Sequence, residues 1–168
     1  MSAALDGAAQ ILVPTNLLAV LALGFALGQN AVRLPLINLA VFAAGLLIGS
    51  VLIAMGTGEM PIPVTLLALA AGAAIMVVIA RPIPPMMKAA LSFATGAALA
   101  LNAPPQTVTF PAAIAAQCGT AMAAFAMLGL VVLVAARANR GWQDVGLRIV
   151  GSWIAASAIL VLALRLAR

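Results

Sequence analysis

Apolar residues run through this chain in long stretches, cut by short breaks rich in proline, glycine and charge. Six stretches reach membrane-spanning length, about 20 residues at 1.5 Å rise each. They cover residues 10–28, 35–55, 63–80, 85–101, 111–136 and 145–166. None alternates apolar and polar positions as a membrane barrel strand would, so helices are predicted. Pro35, Pro63, Pro85 and Pro111 stand at helix starts, where a missing N–H costs little. Pro14 falls inside the first stretch and either starts that helix late or kinks it. The links are short, so sequential neighbours are expected to lie adjacent and antiparallel. The predicted fold is an all-α integral membrane protein, a bundle of six transmembrane helices in three antiparallel hairpins. It forms a single transmembrane domain over residues 1–168, without an internal repeat.

Composition strengthens the membrane assignment. Of 168 residues, 66% are hydrophobic and 7% are charged, against about 25% charged in a soluble domain. Too few charges remain to coat a water-soluble globule. The net charge of +5 does not point to nucleic acid, because the basic residues are scattered singly and tyrosine is absent. The chain has no histidine, one cysteine (Cys118) and three acids, Asp6, Glu59 and Asp144. An intrachain disulfide, a zinc site of thiolates or imidazoles, haem with an axial histidine and a Ser–His–Asp triad are therefore excluded within one chain. An enzyme is not expected, since Cys118 has no accompanying base, and no cofactor is implied.

Charge placement predicts an orientation. The first, third and fifth connections with their flanks hold Arg33, Arg81, Lys88, Arg137, Arg140 and Arg148, six of the eight cations. By the positive-inside rule these connections face the cytoplasm and both termini face outward, as in a bacterial inner membrane. The N-terminus has no basic region before its apolar stretch, so no cleaved signal is expected. Trp142 is expected at the interface, and Trp153 against a neighbouring helix or lipid. Asp144 and Arg148 are four apart and are expected to pair on one helix face.

Helices in lipid associate through close packing of small residues. Gly24/Gly28 and Gly45/Gly49 form GxxxG patterns, and Ala112, Ala116, Gly119, Ala123 and Ala124 smooth much of span five. Packing within the chain is the leading reading; a seam between copies is the other. The expected partners are the lipid bilayer and either further copies of the chain or a larger membrane complex.

Polar residues inside the spans carry the candidate chemistry, because a buried polar group in lipid is costly. Thr15 and Asn16 lie in span one, Ser92 and Thr95 in span four, Gln117, Cys118 and Thr120 in span five, and Ser152 and Ser157 in span six. Counting ~1.5 Å per residue puts Thr95 near mid-membrane and Gln117 about 9 Å from the outer end. Asn16, Thr95 and Gln117 are therefore expected to meet in the outer half of the bundle. The pocket or pathway candidates are Thr15, Asn16, Thr95, Gln117 and Thr120. The competing role for each is bonding across helices or back to its own helix. Cys118 and Met122 share one face of span five and are weak soft-metal candidates; methionine more commonly fills gaps.

Four stretches carry a wider similarity: Pro14 through Gly24, Leu34 through Gly49, Ala90 through Ala98 and Leu147 through Ala156. With the order of apolar blocks, glycines and prolines, they make the chain resemble the HupE/UreJ family. These are small helical membrane proteins implicated as nickel or cobalt permeases. The resemblance implies a helical membrane fold and permease-like activity. Thr15 and Asn16 stand where the family has an Asp-His pair. The run Ala94-Thr95-Gly96-Ala97-Ala98-Leu99-Ala100 stands where the family has a histidine-rich stretch; Gly96 is kept and the imidazoles are not. Nickel and cobalt favour imidazole and carboxylate ligands, so a neutral or weakly charged solute suits this lining better. The leading expectation is a permease-like protein moving a small solute or metal ion through a neutral polar pocket. The alternative is a non-transporting accessory subunit of a larger membrane complex.

Overall fold

The computed structural model describes residues 2–29, 35–55, 62–79, 84–102, 110–138 and 142–167. Among them the chain is all-helical: α1 (Ser2–Ala9), a 3₁₀ turn (Gln10–Leu12), α2 (Pro14–Gly28), α3 (Leu36–Ala54), α4 (Ile62–Ile79), α5 (Pro85–Asn102), α6 (Phe110–Arg137) and α7 (Trp142–Leu166). The connections that hold Arg33, Glu59, Arg81 and Arg140 lie outside the described residues, as does Arg168.

The first predicted span is broken. Val13 precedes a proline and takes an extended conformation, φ −59° and ψ 128°, because the proline ring disfavours helical backbone at the residue before it. Helix α2 then begins with Pro14 in its first turn. The segments Ala3–Leu12 and Pro14–Gly28 meet at 68°. Helix α1 was not expected at all, since the first stretch was placed from residue 10.

Among the described residues three helices are long and apolar enough to cross a membrane: Leu36–Ile53, Pro111–Arg137 and Val145–Arg165. The bent pair makes a fourth if it is one span. Six such helices were expected. Helix α5 falls short because Lys88, Ser92, Thr95 and Asn102 lower its hydropathy, and α4 is apolar along its 18 residues.

The packing differs from three sequential hairpins. The main seams join α3 to α5, α4 to α7, α1 to α6, and α2 to both α4 and α6. Helices α4 and α5 do touch, but α2 with α3, and α6 with α7, share no substantial interface among the described residues. Small residues decide this. Gly45 and Gly49 face Phe93, Ala97 and Ala100, while Gly96 faces Phe42 and Leu46. The matching order of these numbers shows that α3 and α5 run parallel. Gly24 and Gly28 likewise face Val131, Val132 and Ala135, so α2 runs parallel to α6. Both GxxxG patterns are thus consumed inside the chain. Helix α2 lies at the centre, with nine of its 15 residues buried.

Helices α4 and α7 run antiparallel: Gly151 sits beside Val77 and Ala74, and Val64 shares a cleft with Val161 and Leu164. Near the first of these contacts the Arg148 guanidinium donates to the Val78 carbonyl, 3.3 Å away. This bond, not the expected ion pair, is the observed role of Arg148; the Asp144 side chain lies outside the described residues. A carbonyl in the last turn of a helix has no donor within its own helix, which makes it a target for a cation. Because the bond is exposed, Arg148→Ala is expected to lower the melting temperature by no more than about 2 °C. A larger fall in thermal unfolding followed by circular dichroism would show that Arg148 does more than cap α4. Trp142 and Trp153 both point away from the bundle, 81% and 71% exposed.

Candidate functional site

Pro14 creates the first polar group. In an unbroken helix the Gln10 carbonyl would accept from the N–H of residue 14, and proline has none. The Gln10 carbonyl accepts instead from the Val13 N–H at 3.2 Å and, at 2.8 Å, from the Asn16 side chain, whose Nδ2 adds a second donor. Its Oδ1 accepts from Asn102 Nδ2 at 2.7 Å. Thr15 Oγ1 lies 3.5 Å from the same donor. Asn16 is fully buried, so both ends of its amide are used in a setting where an unused end would be costly. The result ties the break before α2 to the last residue of α5.

The second group joins α3 and α6. Gln117 Nε2 donates to Ser50 Oγ at 3.0 Å, and the Ser50 hydroxyl donates to the Leu46 carbonyl of its own helix at 2.7 Å. Gln117 Oε1 is buried and has no hydrogen-bond partner among the described residues. Thr120 completes this end of the bundle. Its hydroxyl, buried, is within 2.8 Å of the Gly7 carbonyl and 3.1 Å of the Ala116 carbonyl. It has one proton to give, shared between the two acceptors. Around it α1 and α6 approach closely, because Gly7 and Gly119 present no side chain between the two backbones.

The structure therefore does not gather Asn16, Thr95 and Gln117 into one hydrogen-bonded group. Asn16 and Thr15 meet Asn102, whereas Gln117 meets Ser50. Thr95 is buried, seven residues before Asn102 on α5, about 10 Å deeper along the helix. Ser92, also buried, donates to the Lys88 carbonyl of its own turn. Cys118 and Met122 share a face as their spacing requires, and that face is exposed, with Met122 at 74%.

Asn102 and Ser50 are the residues that sequence reasoning missed. Asn102 was assigned to a connection, but α5 extends through it. Ser50 follows Gly49 directly, and that proximity to a glycine seam was the available signal. Gln29 was also overlooked: it caps α2 at the far end, is 6% exposed, and its Nε2 has no partner among the described residues.

Among the described residues, no group of three or more His, Cys, Asp or Glu side chains is placed to hold a metal ion. The donors at the candidate site are neutral amides, hydroxyls and backbone carbonyls. No known protein family, curated protein or solved structure matches this chain.

Proposed function

We propose that the chain is a multi-pass, permease-like membrane protein that binds and passes a small solute through the neutral polar end of its bundle. The observation that carries this reading is the buried Gln117 carbonyl oxygen, unpartnered beside the Ser50 hydroxyl. A buried acceptor without a donor costs about 1–3 kcal/mol, and a solute bearing an O–H or N–H group would satisfy it. Among the described residues the bonded groups at this end are neutral amides, hydroxyls and carbonyls, which compensate a divalent ion poorly, so the proposed solute class is neutral.

The proposed topology is six crossings with alternating direction, both termini on the outer side of a bacterial inner membrane. The observed directions support alternation: spans two and four, and spans one and five, run parallel, while spans three and six run antiparallel. The HupE/UreJ resemblance supports the same reading at the level of the fold.

Uptake into proteoliposomes tests it, with labelled glycerol, acetamide and nickel ion as solutes. Glycerol or acetamide is expected to enter, nickel is not, and Gln117→Leu is expected to lower entry at least about tenfold. Gly129→Ala, in open space on α6, serves as the control that keeps full uptake. Equal uptake by Gln117→Leu and the unsubstituted protein would remove the proposed pathway.

A second reading has its own support. Asn16 Nδ2 and the Thr120 hydroxyl each bond a backbone carbonyl of the first ten residues, as a structural role requires. An accessory subunit of this kind is expected to co-purify with larger membrane proteins after mild solubilisation. Isolation only as the lone chain or its own oligomer would count against it.

A further inference from the structure

A cleft opens between the first turn of α4 and the last turns of α7, lined by Val64, Val161, Leu164 and Arg165, with a volume of about 480 Å³. That volume falls within the range of small-molecule sites, about 300–1,000 Å³. Its walls are branched aliphatic side chains, and Leu164 is 60% exposed, so the cleft is open at the bundle surface. Among its described lining residues the one charge is Arg165, in the last turn of α7. With α7 across a membrane, a guanidinium in that turn reaches the headgroup level. Among the described residues its guanidinium has no hydrogen bond and no ion pair.

We propose that this cleft binds one anionic phospholipid, with an acyl chain against Val64, Val161 and Leu164 and the headgroup phosphate on Arg165. Charge complementarity beside an apolar wall selects this occupant. Guanidinium forms a two-pronged contact with phosphate, and an unpaired cation beside an apolar wall at the membrane surface matches the two ends of a phospholipid. The inference requires that α7 spans a membrane; it is independent of whether the polar end of the bundle passes a solute.

The test uses the full chain reconstituted in equimolar phosphatidylglycerol and phosphatidylcholine, then released for native mass spectrometry. The protein is expected to retain phosphatidylglycerol over phosphatidylcholine about fivefold, the worth of one cation facing an anionic headgroup. Arg165→Gln is expected to lose the preference while still retaining lipid. Leu164→Trp, which fills the cleft from an exposed position, is expected to lower retention of both lipids with Arg165 intact. Circular dichroism checks that both variants remain helical. Inorganic phosphate should not displace the lipid, because it offers nothing to the aliphatic wall. Undiminished preference in Arg165→Gln, undiminished retention in Leu164→Trp, or displacement by phosphate alone would each overturn the proposal.

Discussion

Gly96→Leu is expected to cost about 3 kcal/mol or more and to lower the melting temperature in detergent by about 10 °C. The reason is local and steric. A Cβ at Gly96 would overlap the Phe42 carbonyl oxygen, and Gly45 stands in the same relation to the Phe93 carbonyl. These obstacles are backbone atoms of the facing helix, so no rotamer change relieves them; α3 and α5 must move apart. Separation would break the contacts of Phe42, Leu46 and Leu99, all buried in the core, and lipid-embedded helices have little besides close packing to hold them. Gly129→Ala and Gly72→Ala are the comparison, because nothing lies near a Cβ at either position. Both are expected to be neutral or to gain up to about 1 kcal/mol from higher helix propensity. Thermal unfolding by circular dichroism separates the two classes. If Gly96→Leu melted with Gly129→Ala, the α3–α5 seam described here would be wrong.

The next largest effect is expected at Asn16. Asn16→Leu removes the donor to the Gln10 carbonyl and the acceptor for Asn102. It leaves the Gln10 carbonyl with the Val13 N–H alone and the Asn102 amide with the longer contact to Thr15, at a cost of about 1–2 kcal/mol. Asn102→Leu removes the bond to Asn16 and the longer one to Thr15 and spares the one to Gln10, so about 1 kcal/mol is expected. Once Asn16 is gone, the Asn102 amide has lost its closest partner, and replacing it should cost little more. The double variant is therefore expected to fall short of the sum of the singles by about 0.5–1 kcal/mol. Denaturant or thermal unfolding of the four proteins measures this coupling. Additive losses would show that the two amides act separately.

Much of this outcome was visible residue by residue. Pro14 announced the break in the first apolar stretch, since no helix continues undisturbed through it. Asn16, Thr95 and Thr120 were selected as buried polar positions, and all three are buried. Both GxxxG patterns were read as intrachain seams, and both are used that way. What failed was the step from span order to packing. Short links suggested that neighbours in sequence would pack as hairpins. These helices, however, are apolar nearly all round and carry no stripe that says which face turns inward. Shape complementarity chose the partners instead, and the glycines of α3 fit α5, not α2 or α4.

The candidate site failed at the same step. Depth along a helix follows from counting at ~1.5 Å per residue, but rotation about the helix and the identity of the facing helix do not. Asn16 and Gln117 were placed near the same end of the bundle, yet each finds a partner that counting could not name, Asn102 for one and Ser50 for the other.

The sequence by itself determined that the chain is a set of apolar helices, where they break, and which side chains are too polar to face lipid. Those properties follow from local backbone chemistry and transfer energy, which each residue carries with it. Only the tertiary structure decided that α2 is the central helix, that α3 lies along α5 and α4 along α7, and that the amides divide into two bonded groups with one carbonyl oxygen left over. Those choices depend on whether two surfaces fit at contact distance, and that is a property of pairs of helices that no single stretch of sequence contains.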